Sequence, residues 1–174
     1  MHSLVRKTLP AAVGILCCTV WISSAAADTF CSELTKIVAQ SGDFESLKGE
    51  PVEGERFAAK TVMSGFRQCT VSPFRTTFSY TCETAPEVNA ASAEKKWNEI
   101  GAGLGNCLKG DWMSRNAGKQ NIFFADRKKG EAVSLSLREV AGFKREGNQL
   151  KTFPTYYNRL VVFPRKKMTK KSAN

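Results

Sequence analysis

Cys69-Thr-Val-Ser-Pro-Phe-Arg-Thr-Thr-Phe-Ser-Tyr-Thr-Cys82 is dense in Thr, Val, Phe and Tyr, with Pro73 interrupting it near its middle. That composition predicts two antiparallel strands, 67–72 and 77–83, joined by a short turn. A register centred between Arg75 and Thr76 sets Cys69 opposite Cys82. Cross-strand positions of this kind bring Cα atoms to about 4.5–5.5 Å, within disulfide range. The stretch therefore predicts a hairpin closed by its own crosslink, and antiparallel strands as the frame of the fold.

Working outward, Asn121-Ile-Phe-Phe-Ala and Ala132-Val-Ser-Leu-Ser-Leu-Arg138 flank the turn Asp126-Arg-Lys-Lys-Gly-Glu131. Val133, Leu135 and Leu137 alternate with Ser134, Ser136 and Arg138, so one face is buried and the other wet. A symmetric register sets Phe124 opposite Val133 and Ile122 opposite Leu135. Two further strands are expected at 57–63 and 157–163, the latter stopped by Pro164. Residues 42–55, rich in Gly, Glu and Pro, read as a loop.

Two amphipathic stretches supply helices. Phe30, Leu34, Ile37 and Val38 share one face of a helix over 30–40, which Asp28 or Thr29 can cap and Gly42 can end. Trp97, Ile100, Leu104, Cys107 and Leu108 share one face of a second over about 87–108, with Thr84 and Glu87 spaced as a capping box. Gly101, Gly103 and Gly105 each cost that helix about 1 kcal/mol relative to Ala, which points to close packing or a shorter helix. With Cys107 on one apolar face and Cys31 beside the other, two helices on one sheet face can be joined by a Cys31–Cys107 bridge. The expected fold is α+β, an antiparallel sheet of about five to six strands covered on one face by two helices. Its order is α-βββ-α-βββ, with two disulfides.

The first 27 residues read as an export signal: Arg6 and Lys7, an uncharged apolar run from Leu9 to Ile22, then Ala25-Ala26-Ala27 as a small-x-small site. Cleavage there leaves 147 residues as a single domain over 28–164, followed by a basic tail over 165–174. Cys17 and Cys18 leave with the signal. Cys31, Cys69, Cys82 and Cys107 remain, destined for an oxidising periplasmic or secreted setting where paired thiols crosslink. His2, the only histidine, leaves as well.

Loss of that histidine excludes Ser-His-Asp and Cys-His mechanisms, and zinc sites built from Cys and His. Ser92-Ala-Glu-Lys95 matches a Ser-x-x-Lys spacing without its partner motifs, and reads as a helix start. Gly101-Ala-Gly-Leu-Gly105 follows no strand and reads as packing rather than a phosphate loop. Glu50, Glu53 and Glu55 lack the calcium-loop pattern and read as a solvated acidic loop. No catalytic residue, metal ligand or cofactor is assigned.

Charge is the remaining signal. Residues 28–111 carry 9 Lys/Arg against 12 Asp/Glu, whereas residues 112–174 carry 15 against 4. The candidate anion-binding residues are Arg127, Lys128 and Lys129 in the hairpin turn, Lys144 and Arg145, and Arg165, Lys166, Lys167, Lys170 and Lys171 in the tail. A polar basic end can be a solubilising tail; the functional alternative is an arm that attracts anionic lipid, lipopolysaccharide phosphate or nucleic acid. The expected function is a non-enzymatic binding or accessory protein of the bacterial envelope, acting on an anionic envelope component or acidic protein rather than on nucleic acid. A histidine-independent hydrolase, and a chaperone-like module offering the hairpin 74–80 or a strand edge, are the alternatives.

Overall fold

The computed structural model describes residues 24–165; the expected export signal up to residue 23 and the tail from Lys166 onward, with Lys167, Lys170 and Lys171, lie outside them. In chain order come α1 (Ser24–Ala39), a 3-10 turn (Glu45–Leu47), β1 (Lys48–Pro51), β2 (Phe57–Ala59), β3 (Gln68–Phe74) and β4 (Thr77–Glu83). After these come α2 (Ala90–Cys107), β5 (Trp112–Asn116), β6 (Asn121–Asp126), β7 (Glu131–Glu146) and β8 (Gln149–Phe163). The strands form one antiparallel sheet in the order β1-β2-β3-β4-β8-β7-β6-β5.

The register of the central hairpins follows the side-chain pattern. Cys69 faces Cys82 across β3 and β4, while Phe124 faces Val133 and Ile122 faces Leu135 across β6 and β7. Tyr80 and Cys82 then face Val162 and Leu160, which face Val133 and Leu135. Val71, Tyr80, Val162, Val133 and Phe124 thus form a continuous row of buried side chains across five strands of one face. Leu34 and Ile37 of α1 and Leu104 of α2 are buried in the same core. Disulfides join Cys31 to Cys107 and Cys69 to Cys82.

The strand count exceeds the expected five to six: there are eight, in two runs of four. The two additional strands, β1 and β5, are the outermost in the sheet. Lys48-Gly-Glu-Pro51 and Trp112-Met-Ser-Arg-Asn116 show no apolar alternation, because an edge strand with little buried surface is under no pressure to alternate. Gly49 marks the close approach of β1 to β2, since a Cβ there would lie 2.8 Å from the Ala58 carbonyl oxygen. β2 is shorter than expected, and Met63 lies beyond it, buried in the core.

α2 starts later than the spacing of Thr84 and Glu87 predicts. Asn89 is its cap, accepting from the Ala91 and Ser92 N–H groups at 2.9 and 3.3 Å. Thr84 instead accepts from the Asn158 N–H at 2.9 Å, and Glu87 exchanges backbone hydrogen bonds with Tyr156. Both residues therefore fasten the approach to α2 onto β8. The helical glycines divide. A Cβ on Gly101 would meet Ile122 Cδ1 at 3.2 Å, so it packs on sheet side chains, whereas at Gly105 nothing lies within 4 Å.

β7 and β8 run on together well past their neighbours. β6 reaches only Ser136 of β7, and β4 reaches only Arg159 of β8. Their pairing nevertheless continues out to Glu146 and Gln149, forming a two-stranded arm closed by Gly147-Asn148, with Gly147 at φ 61°. Glycine with positive φ at the first central position suits the right-handed twist of a hairpin.

Candidate functional site

The backbone of the turn between β6 and β7 is held by Asp126. Asp126, almost fully buried, accepts from the Lys128 and Lys129 N–H groups at 2.9 and 3.0 Å through Oδ1. The Gly130 N–H donates to the Asp126 carbonyl at 2.8 Å, with Gly130 at φ 70°. An aspartate that folds its own turn in this way carries Arg127, Lys128 and Lys129 together at the tip.

Antiparallel pairing brings other cations to the same end of the sheet. β8 ends there, so Arg165 pairs with the buried Glu131, and its N–H donates to the Ser41 carbonyl. The β3–β4 turn also ends there, placing Arg75 beside Pro164 and Arg165 around a cavity of about 560 Å³. A cavity of about 350 Å³ lies between Arg115 and Arg127, floored by Phe123 and Ala125. On the helix side a third, of about 620 Å³, is lined by Lys109, Lys129, Glu131, Arg165 and Trp112. All three concavities thus open at one basic end.

Aromatic rings underlie the charges on the helix-free face. Phe74 and Phe163 meet edge-on at 5.3 Å between centroids, and Phe123 and Phe163 at 6.1 Å. The Arg75 guanidinium lies 5.6 Å from the Phe74 ring and that of Arg115 lies 5.1 Å from Phe123. Guanidinium groups stacked in this way keep their donors free for an anion beside an apolar surface.

The six expected anion-binding residues that are described do not form one patch. Arg127, Lys128, Lys129 and Arg165 come together. Lys144 and Arg145 sit at the tip of the arm, at the opposite end of the 16-residue β7, roughly 50 Å away at about 3.3 Å per residue. Lys128 is paired with Asp111 at 2.6 Å and Arg165 with Glu131. Arg75, Arg115 and Arg127 have no ion pair among the described residues, and Arg75 and Arg115 did not stand out in the sequence. Their signal is topological: Arg75 is legible as a turn residue, but only the strand order places that turn beside Arg165.

In the hairpin 74–80, Tyr80 is fully buried, its hydroxyl donating to the Thr61 carbonyl at 2.8 Å, and Phe78 packs against Phe57 under Lys48. Burial in that hairpin is thus confined to Ser79 and Tyr80, while Arg75 and Thr76 are exposed at its turn. Ser92 lies in the first turn of α2, and Lys95 reaches Glu99 at 4.0 Å along the exposed helix. Among the described residues, no helix is long and apolar enough to cross a membrane, and no three His, Cys, Asp or Glu side chains are grouped to hold a metal. The chain matches no family model, and neither a curated protein nor a solved structure resembles it at a significant level.

Proposed function

We propose that this is an exported binding or accessory protein of the bacterial envelope, periplasmic or secreted, which engages an anionic envelope component through the basic end of its sheet. The observation that carries this reading is the convergence of Arg75, Arg115, Arg127, Lys129 and Arg165 on three neighbouring concavities. A cationic rim over the Phe74, Phe123 and Phe163 rings suits a ligand with an anionic head and an apolar body, such as an acidic phospholipid or lipopolysaccharide. Arg165, at this rim, is followed in the sequence by Lys166, Lys167, Lys170 and Lys171.

Attraction to an anionic membrane is worth about 1 kcal/mol per Lys or Arg near the surface, and it fades beyond a Debye length of about 8 Å at physiological salt. Replacing Arg115, Arg127 and Lys129 with Ser should therefore weaken binding on the order of 100-fold. The test is co-sedimentation with vesicles of acidic phospholipid, and separately with lipopolysaccharide, at low and moderate salt. Truncation should start at Lys166 rather than Arg165, because losing Arg165 would strand the buried Glu131 carboxylate and confuse misfolding with lost affinity. Binding that is absent at low salt, or equal in wild type, triple variant and truncated chain, would leave the charge asymmetry as a matter of solubility alone.

A further inference from the structure

We propose that the free edge of the β7 arm pairs with the same edge of a second copy of this chain, antiparallel and centred on Gly142. The orientation of that edge follows from its first bond. The Leu137 N–H points away from β8, donating to the Gln120 carbonyl at 3.0 Å. Backbone groups of alternate residues point the same way. Glu139, Ala141, Phe143 and Arg145 therefore turn their N–H and C=O groups outward, where none finds a backbone partner among the described residues.

The other edge of the arm is blunted. Tyr156 of β8 is already bonded outward to Glu87, at 2.7 Å in both directions. Pro154 shares that outward orientation and has no N–H to offer, a common way to blunt an edge. The β7 edge has no proline, and Val140, Phe143 and Leu150 are exposed along the arm, Phe143 at 62% and Leu150 at 65%. An edge of this kind is a template for another strand.

The sequence Arg138-Glu-Val-Ala-Gly-Phe-Lys-Arg-Glu146 identifies that strand as its own copy. Turned antiparallel about Gly142, it sets Glu139 opposite Arg145 and Arg138 opposite Glu146 of the second copy, and two-fold symmetry repeats both matches. Glu139, Arg145 and Arg138 have no ion pair within the chain among the described residues. In this register Glu139 with Arg145, and Ala141 with Phe143, occupy hydrogen-bonded positions, each pair exchanging both N–H···O bonds. The two Gly142 residues meet at the close, non-hydrogen-bonded position. Sliding by two residues destroys the match: one direction sets Arg138 opposite Lys144, the other sets Glu139 opposite Gly147.

The test is sedimentation velocity of the disulfide-bonded chain from low to high micromolar, with circular dichroism as the folding control. Wild type should dimerise with concentration. Glu139→Arg and Arg145→Glu each place like charges opposite one another twice, and each should raise the dimer Kd about tenfold or more. The double variant restores opposite charges and should return Kd to near the wild-type value. Ala141→Pro removes an outward N–H without disturbing pairing to β8, and should leave a folded monomer. A wild type that stays monomeric throughout, a dimer indifferent to the single reversals, or a double variant no better than the singles would overturn the proposal.

Discussion

Tyr80 shows how one side chain ties burial to pH. It is fully buried at the centre of the sheet, its hydroxyl bonded to the Thr61 carbonyl. Burial, reinforced by the nearby Glu33 carboxylate, pushes its pKa well above the ordinary 10.0. The unfolded chain therefore loses this proton near pH 10 while the folded chain keeps it, so stability is intact below that pH and declines above it. Tyr80→Phe should cost about 1–2 kcal/mol at neutral pH by leaving Thr61 without its donor. Above pH 10 its stability should fall less steeply than wild type, by up to about 1.4 kcal/mol per pH unit. Urea unfolding at pH 7, 10 and 11 gives both numbers, and parallel decline in the two proteins would contradict the assignment. Glycine gives a second residue-scale test. Gly105 sits in α2 with open space where a Cβ would go, so Gly105→Ala should stabilise by about 1 kcal/mol through helix propensity alone. Gly142→Ala should do the opposite, since its Cβ would meet the Phe153 ring at 2.8 Å. Thermal melts of both variants should move in opposite directions. Sequence spacing flags the helical glycines but does not distinguish Gly101, which packs, from Gly105, which does not.

At the level of elements, the parts legible in the sequence are those that bury a face. The registers of β3 with β4 and of β6 with β7 follow from alternation, because a one-residue slip would expose every core side chain at once. β1, β5 and the arm bury little and leave no alternation to read. The Gly147-Asn148 turn is the signal that could have revealed the arm, since a glycine-led pair between extended segments favours a tight hairpin. The candidate site was legible as the cationic tip at 127–129, but not as a convergence, because Arg75 and Arg115 reach it only through strand order. The disulfides differ in what they hold. Cys69 and Cys82 are 13 residues apart and close a hairpin already fixed by its register, whereas Cys31 and Cys107 are 76 apart and join α1 to α2. In the chain-entropy model removing the first costs about 3 kcal/mol and removing the second about 4.5. Replacing Cys31 and Cys107 with Ser should therefore lower the urea midpoint more than replacing Cys69 and Cys82, and should free α1 for early proteolytic cleavage. Equal losses for the two pairs would show that α1 is held by packing of Leu34 and Ile37 rather than by its crosslink.

Across the whole molecule, β7 acts as a spacer. Its first residue follows the cationic tip and its last closes the arm, so the proposed anion-binding end and the proposed self-pairing edge lie at opposite ends of one strand. Two consequences follow from that separation. Substitutions at one end should leave the other unaffected, because sites so far apart and without shared partners behave additively. Pairing about Gly142 would also set the two basic ends roughly 70 Å apart along the strand axis, facing away from one another. A dimer of that shape cannot seat both ends on one flat surface, but it can bridge two. Wild-type chain should therefore cluster acidic phospholipid vesicles, raising turbidity as well as co-sedimenting with them. Glu139→Arg should co-sediment normally yet fail to cluster, and clustering should return when Arg145→Glu is added. Replacing Arg115, Arg127 and Lys129 with Ser should weaken vesicle binding on the order of 100-fold, and clustering with it, while leaving the sedimentation coefficient of the free protein unchanged. Turbidity measured beside co-sedimentation separates these outcomes. Clustering by a Glu139→Arg monomer would show that a single copy carries two membrane-binding surfaces, and would remove the arm from any part in bridging.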